Sequence, residues 1–188
     1  MPKLVLIKHS LPTIDPNKPA ASWQLSPEGV GRCHRLASCL ADFLPAVLVS
    51  SREPKARATA DRLAERFALT ATTIDGLEEQ HRMTAPFLTH RAFKEAMREF
   101  FARPAELVFG EETAEAASTR FAATIDDLFG KHTDRNLLVV THGTVISLYL
   151  SRCARIDPYP LWEKLGLPSF AVVDRWTMRI EKFESQIA

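Results

Sequence analysis

Leu4-Val5-Leu6-Ile7-Lys8-His9-Ser10-Leu11 is the stretch that decides how this chain is read. Its four leading apolar residues have the pattern of a buried strand, and Lys8-His9-Ser10 follow at the strand's end. The same plan recurs far downstream, where Thr141-His142-Gly143 follows Leu137-Leu138-Val139-Val140. In an open α/β sheet, ligands bind beyond the carboxyl ends of the strands. If the two strands are parallel and adjacent, His9 and His142 face one crevice.

Working outward, the three prolines between Pro12 and Trp23 rule out a regular element and predict a surface loop leaving the His9 end of the strand. Ser26-Pro27-Glu28 opens a helix, with Ser26 as N-cap and Pro27 at the first helical position. Val30, Cys33, Ala37, Leu40 and Leu44 give it one apolar face, and Pro45 stops it. Ala46 to Val49 forms a second strand ending in Ser50-Ser51, and Pro54 starts a helix buried through Ala56, Ala60, Leu63, Ala64 and Phe67. Thr70 to Ile74 is threonine-rich and suits an edge strand. Phe93, Met97, Phe100 and Phe101 predict a short helix. Thr113 or a neighbour begins another, with Gly130 as its C-cap. Gly143-Thr144 turns the chain into a helix, and Pro158 and Pro160 end that region. Phe170 to Val173 and Met178 to Phe183 predict a closing antiparallel pair.

Strands alternating with helices predict an α/β fold, a three-layer α/β/α sandwich on a mostly parallel sheet. The 188 residues suit one domain, 1–188, with a partly helical insertion at about 81–113 above the sheet. A net charge of +1 offers no global field toward nucleic acid or a membrane surface. No apolar run approaches the roughly 20 residues of a membrane span. Leu4 to Ile7 is too short for a signal-peptide core, so no targeting segment is expected. Three cysteines, Cys33, Cys39 and Cys153, without a Cys-x-x-Cys, predict reduced thiols in a cytoplasmic protein.

The neutral imidazole is nucleophilic near neutral pH, its ordinary pKa being about 6.5. Attack on a phosphoryl group needs a histidine fixed in line, positive groups on the equatorial oxygens and an acid for the leaving oxygen. The end of a buried strand fixes His9. Lys8, Lys55, His142 and the helix start after Gly143 can supply donors. Glu78 and Glu79 follow the third strand, where an acid reaches the same crevice. His81 and Arg82 adjoin them, as substrate contacts or as a loop salt bridge. The six histidines show no His-Glu-x-x-His or other paired metal spacing, and neither a Gly-x-Ser-x-Gly elbow nor a P-loop exists.

In their order these segments resemble the histidine phosphatase superfamily, the phosphoglycerate mutase-like fold. That family opens with a strand and Arg-His-Gly; Lys8-His9-Ser10 stands here. Its Ser-Ser, basic-Ala, Thr-Ala signature is met by Ser50-Ser51, Lys55-Ala56 and Thr59-Ala60. Its Leu-x-Glu is met by Leu77-Glu78-Glu79, its Gly-Glu-Ser/Thr helix start loosely by Gly110-Glu111-Glu112-Thr113, and its Ser/Thr-His-Gly by Thr141-His142-Gly143. The resemblance spans roughly residues 3 to 150 and implies a phosphohistidine at His9, catalysis with Glu79 and His142, and phosphate held by Lys8, Lys55 and His142. It points to Glu79 rather than Glu78 as the acid. No cofactor or metal is implied.

Two departures stand out. Both family arginines align with lysines, which keep the charge but lose the planar fork. Ser10 replaces a glycine, so a left-handed backbone there would be strained. Arg57, Arg52 or Arg82 could return a guanidinium to the pocket, and Ser10 and Gly143 could touch substrate. The leading expectation is a metal-independent phosphomonoester hydrolase acting on a small phosphorylated metabolite or a phosphoprotein. The competing one is a phosphate-binding or interaction protein, catalytically weak or inactive, on the same fold.

Overall fold

A computed structural model describes residues 1–187. Among the described residues, one six-stranded sheet runs in the order β3-β2-β4-β1-β5-β6. Its strands are β1 (Lys3–Lys8), β2 (Ala46–Ser50), β3 (Ala71–Thr73), β4 (Asn136–Thr141), β5 (Ser169–Asp174) and β6 (Ile180–Glu184). β1, β2, β3 and β4 are parallel, while β5 and β6 complete the sheet antiparallel. The mixed α/β sandwich expected from the element pattern is therefore the fold.

The central strands are covered on both faces, which explains their unbroken apolar runs. Leu4, Leu6, Leu137 and Val139 pack on one face with Phe121 and Ile125 of α4 (Ala114–Lys131) and Ile146 and Leu150 of α5 (Gly143–Ala154). Val5, Ile7, Leu138 and Val140 meet the other face's Leu36 and Leu40 of α1 (Pro27–Leu40) and Ala60 and Leu63 of α2 (Pro54–Phe67). Ser26 caps α1 as expected, accepting from the Gly29 amide at 2.9 Å. The span 81–113 carries α3 (His90–Ala102), whose Met97 and Phe100 join the first core.

Three expected boundaries move. α1 ends at Leu40 and not at Pro45, with one 3₁₀ turn at Ala41–Phe43 between them. α4 continues through Gly130 to Lys131 and ends at His132, because Gly130 keeps a helical conformation there. Pro158 does not end a region but opens α6 (Pro158–Lys164). Asp157 accepts from the Tyr159 amide at 2.9 Å, and prolines fit a first turn whose N–H groups have no intrahelical partner. Among the described residues no helix is long and apolar enough to cross a membrane.

The register places the site. Lys8 pairs with Thr141 across β1 and β4, so the residues that leave the two strands, His9 and His142, emerge side by side.

Candidate active site

The rings of His9 and His142 stand 5.2 Å apart between centroids at 61°. Both belong to the wall of one open cavity of about 910 Å³, shared by Lys8, Glu53, Lys55 and Glu79. His9 Nδ1 lies 2.8 Å from the Ser10 carbonyl. A carbonyl only accepts, so Nδ1 carries the hydrogen and Nε2 keeps its lone pair. Burial, reinforced by the charges of His142 and Lys55, pushes the His9 pKa well below its ordinary value. His9 is neutral at neutral pH, with its free nitrogen available as a nucleophile.

His142 is fully buried. Its Nε2 lies 2.9 Å from Ser51 Oγ and 3.5 Å from Glu53 Oε1. Its Nδ1 has no hydrogen-bond partner among the described residues, an expensive arrangement for a buried ring nitrogen unless a ligand completes it. His142 is also the N-cap residue of α5, so the amides that open this helix look onto the same place.

Lys8 runs along the face of Gly143 and donates to the Leu165 carbonyl at 2.7 Å. A β-carbon on Gly143 would stand only 3.1 Å from Lys8 Cε, so that glycine gives the lysine its path. Burial lowers the Lys8 amine to about 8, with Glu79 opposing the shift. Lys55, in the first turn of α2, donates to the Ala20 carbonyl at 2.7 Å and pairs with Glu53. Lys8 and Lys55 thus both reach the crevice.

The acid candidates separate. Glu79 Oε2 accepts from the Thr144 amide at 3.2 Å, on the opening turn of α5. Glu78 is also in the cavity wall but is engaged elsewhere, accepting from the Gly76 amide at 2.7 Å and pairing with Arg52 Nε at 3.1 Å. Burial alone would raise the Glu79 carboxyl, but the charge of Arg82, 3.9 Å away, and the Gln80 amide hold it below the ordinary carboxylate value.

Other expected contacts divide. Arg82 and His81 line the cavity, Arg82 lying 5.2 Å over the Phe93 ring and His81 half-exposed. Arg57 is exposed on α2 and takes no part in the cavity wall, because its neighbours Ala56 and Ala60 face the sheet. Ser10 is a correction: its backbone is not left-handed, so no strain arises. Its hydroxyl donates to the Gly29 carbonyl at 2.8 Å and its amide to Thr59 Oγ1 at 3.0 Å, so it ties the loop to α1 and α2 and stays out of the cavity.

Two further residues shape the site. Glu53 is buried, joins Lys55, accepts from the Glu79 amide at 2.9 Å and faces His142. No clear signal marks it in the sequence: it stands in the N-cap place before Pro54, where short polar side chains are preferred, and in the structure it makes no cap bond. Arg120 of α4 donates to the carbonyls of Gly76 at 2.9 Å, Glu78 at 3.1 Å and Glu79 at 3.2 Å while forking onto Glu112. It staples the acid-bearing loop, and Thr141 adds a bond to the Leu77 carbonyl at 2.7 Å.

Comparison with known proteins agrees with this architecture. The chain superposes on the mycobacterial glucosyl-3-phosphoglycerate phosphatase with a TM-score of 0.78 at 20% identity, covering 98% of this chain and 99% of that one. It superposes on the phosphoserine phosphatase of Entamoeba histolytica in complex with 3-phosphoglyceric acid with a TM-score of 0.80 at 18% identity, covering 99% and 98%. The alpha-ribazole phosphatase of Shigella flexneri gives 0.75 at 20% identity, covering 99% and 97%. These likenesses establish a shared fold. No curated protein sequence matches the chain. The family model for the histidine phosphatase superfamily (branch 1) matches residues 18–178, starting after the Lys8-His9-Ser10 segment and including Lys55, Glu79 and His142. With that match over most of its length, and with two strand-end histidines meeting in one cleft, the chain belongs to the histidine phosphatase superfamily, branch 1.

Proposed function

We propose that the protein hydrolyses phosphomonoesters through a phosphohistidine, without a metal. The observation that carries this reading is the convergence of a neutral His9 with a free Nε2 and a buried His142 with an unpartnered Nδ1. His9 Nε2 attacks phosphorus as the bond to the leaving oxygen breaks. Lys8, Lys55, His142 Nδ1–H and the α5 amides hold the equatorial oxygens. A monoanionic ester brings one proton into the site, and Glu79 passes it to the leaving oxygen. Glu79 then takes a proton from water, the water oxygen bonds to phosphorus, and the P–N bond breaks to free His9. The substrate is a small phosphorylated metabolite, which the neighbours named for phosphorylated small molecules support, or a phosphoprotein.

The test is turnover of p-nitrophenyl phosphate in the presence of a chelator. Its pH profile carries a specific mark. In the free protein Lys8 loses its proton near pH 8, so the charge that attracts the anion is present below about 8 and is lost above it. A bound anion raises the Lys8 pKa by the same linkage. The expected result is kcat/KM falling toward tenfold per pH unit above about 8, with the fall moved beyond the measurable range in Lys8→Arg. A profile flat to pH 10 removes Lys8 from phosphate binding.

A second reading, phosphate binding with little turnover, is favoured by one observation: Glu53 offsets Lys55 inside the pocket. Glu53→Gln separates its two effects. Removing a negative charge near the anion is expected to tighten inorganic phosphate binding roughly tenfold. Glutamine keeps a single acceptor where the two carboxylate oxygens serve the Glu79 amide and Lys55 separately, so one of these bonds is weakened and kcat is expected to fall. Calorimetry with inorganic phosphate, run beside steady-state kinetics, checks the opposite signs. Absent turnover of p-nitrophenyl phosphate, with phosphate still bound by the wild type, selects the second reading.

A further inference from the structure

The histidines occupy only one end of the cavity. The remaining wall includes Trp23, from the loop after β1, and Phe93 and Trp162, from α3 and α6, beside polar residues of the acid-bearing loop. Phe93 and Trp162 meet edge to face, their centroids 5.5 Å apart. At the mouth, Ile14 and Met83 expose 57% and 56% of their surface, and Phe87 packs beside Trp23 at 6.4 Å. Large apolar side chains grouped at the mouth of a polar cleft mark a binding surface.

The charges at this end are already matched. Arg82 is shared between Glu79 and the Phe93 ring. Arg52 pairs with Asp75 and Glu78, and Arg120 forks onto Glu112. Glu111, also in the wall, is turned to the amides of Met83 and Thr84 at 2.7 and 2.8 Å. Lys8 and Lys55 stand at the histidine end, where the phosphoryl group takes them. Among the described residues each arginine of the wall already faces a carboxylate and His81 lies 4.0 Å from Glu112, so this end of the wall offers no cation without an acidic neighbour, and a carboxylate on the leaving alcohol would meet Glu79 and Glu111.

From this we infer that the outer half of the cleft is a leaving-group subsite for an uncharged, apolar alcohol carrying a ring, so that the substrate is a phosphomonoester whose phosphate is its only charged group. For the anionic end, the inference rests on the phosphomonoester reading above. Stacking on Trp23 and against the Phe93–Trp162 pair supplies the selectivity, and the exposed Ile14 and Met83 extend it.

The comparison uses three phosphates of ordinary alcohols, so leaving-group chemistry is nearly constant: 2-phenylethyl phosphate, glycerol 3-phosphate and phosphoserine. Wild-type kcat/KM is expected to favour the phenylethyl ester about 30-fold over either polar one, the burial of a phenyl ring setting that scale. Met83→Ser and Ile14→Ser are solvent-exposed changes that spare the core. Together they are expected to lower kcat/KM for the phenylethyl ester at least about fivefold and leave glycerol 3-phosphate within twofold. Calorimetry on His9→Ala, which lacks the nucleophile, reads the same preference as affinity. Tighter binding of the phenylethyl ester with no wild-type turnover upholds the subsite and removes the hydrolase reading alone. Equal affinity for the three esters, or a preference for phosphoserine, overturns the subsite whatever the turnover.

Discussion

His9→Ala is expected to lower kcat/KM for every phosphomonoester by about ten-thousandfold or more and to abolish phosphoryl labelling of the protein. The magnitude follows from the proposed role, since removing a covalent nucleophile leaves only charge stabilisation and binding. The label on the wild type should be acid-labile and should disappear on adding unlabelled ester, as a turnover intermediate must. Lys8, Lys55 and His142 remain in the variant, so inorganic phosphate should still bind within about tenfold of wild type. Retained binding distinguishes a lost nucleophile from a collapsed pocket. Collapse is not expected, because the His9 amide bonds to the Thr141 carbonyl at 2.9 Å whatever the side chain is. A label that survives in His9→Ala removes the phosphohistidine from His9. His142→Ala would then be the next variant to label, since its ring is the other imidazole in the cleft.

The pairing of His9 with His142 was legible in the sequence because a strand buried on both faces leaves little ambiguity. Two four-residue apolar runs, each followed by a histidine, allow few registers, and the Lys8–Thr141 pairing is the one that aligns their ends. Lys55 was legible for a similar reason, as Pro54 fixed the start of its helix. Glu53 was not. A glutamate before a proline at a helix start has the pattern of a solvated turn, and only the packing of α2 beneath the cleft turns it inward. Arg120 escaped for the opposite reason: it lies on a regular amphipathic helix, where an arginine between apolar positions suggests a surface residue. Its carbonyl partners at Gly76, Glu78 and Glu79 come from a loop more than a helix length away in sequence. Ser10 shows how a motif can mislead. The family's glycine suggested a special backbone, yet this chain solves the turn with a hydroxyl bond to Gly29. Gly29 itself admits no larger residue, since a β-carbon there would lie 2.2 Å from the Leu11 carbonyl oxygen.

Glu79→Gln is expected to slow the first turnover of an alkyl phosphate about a thousandfold while slowing that of p-nitrophenyl phosphate less than tenfold. The contrast follows from what the carboxyl does in the proposed mechanism. An alkoxide leaves poorly without a proton, whereas a nitrophenolate needs none, so only the first substrate depends on the acid. Glutamine has the same shape and keeps an acceptor for one of the two amides that the carboxylate serves, Thr144 or Gln80, while Arg120 still staples the loop through its carbonyls. The free carboxyl lies below its ordinary pKa, under the influence of Arg82 against the effect of burial. The incoming monoanionic ester pushes the other way, and the proton that it brings is then held where the leaving oxygen departs. Hydrolysis of the intermediate calls on the same residue as base. With p-nitrophenyl phosphate, the variant should therefore show a burst of one nitrophenolate per active site, followed by a slow steady rate, with the phosphoryl label accumulating on His9. Glu78→Gln should stay within about tenfold of wild type for both esters, because Glu78 is turned to Gly76 and Arg52. Equal losses for the two esters in Glu79→Gln, with no burst, would move the acid role elsewhere. Glu53 would be the carboxyl to replace next, being already within 3.5 Å of His142.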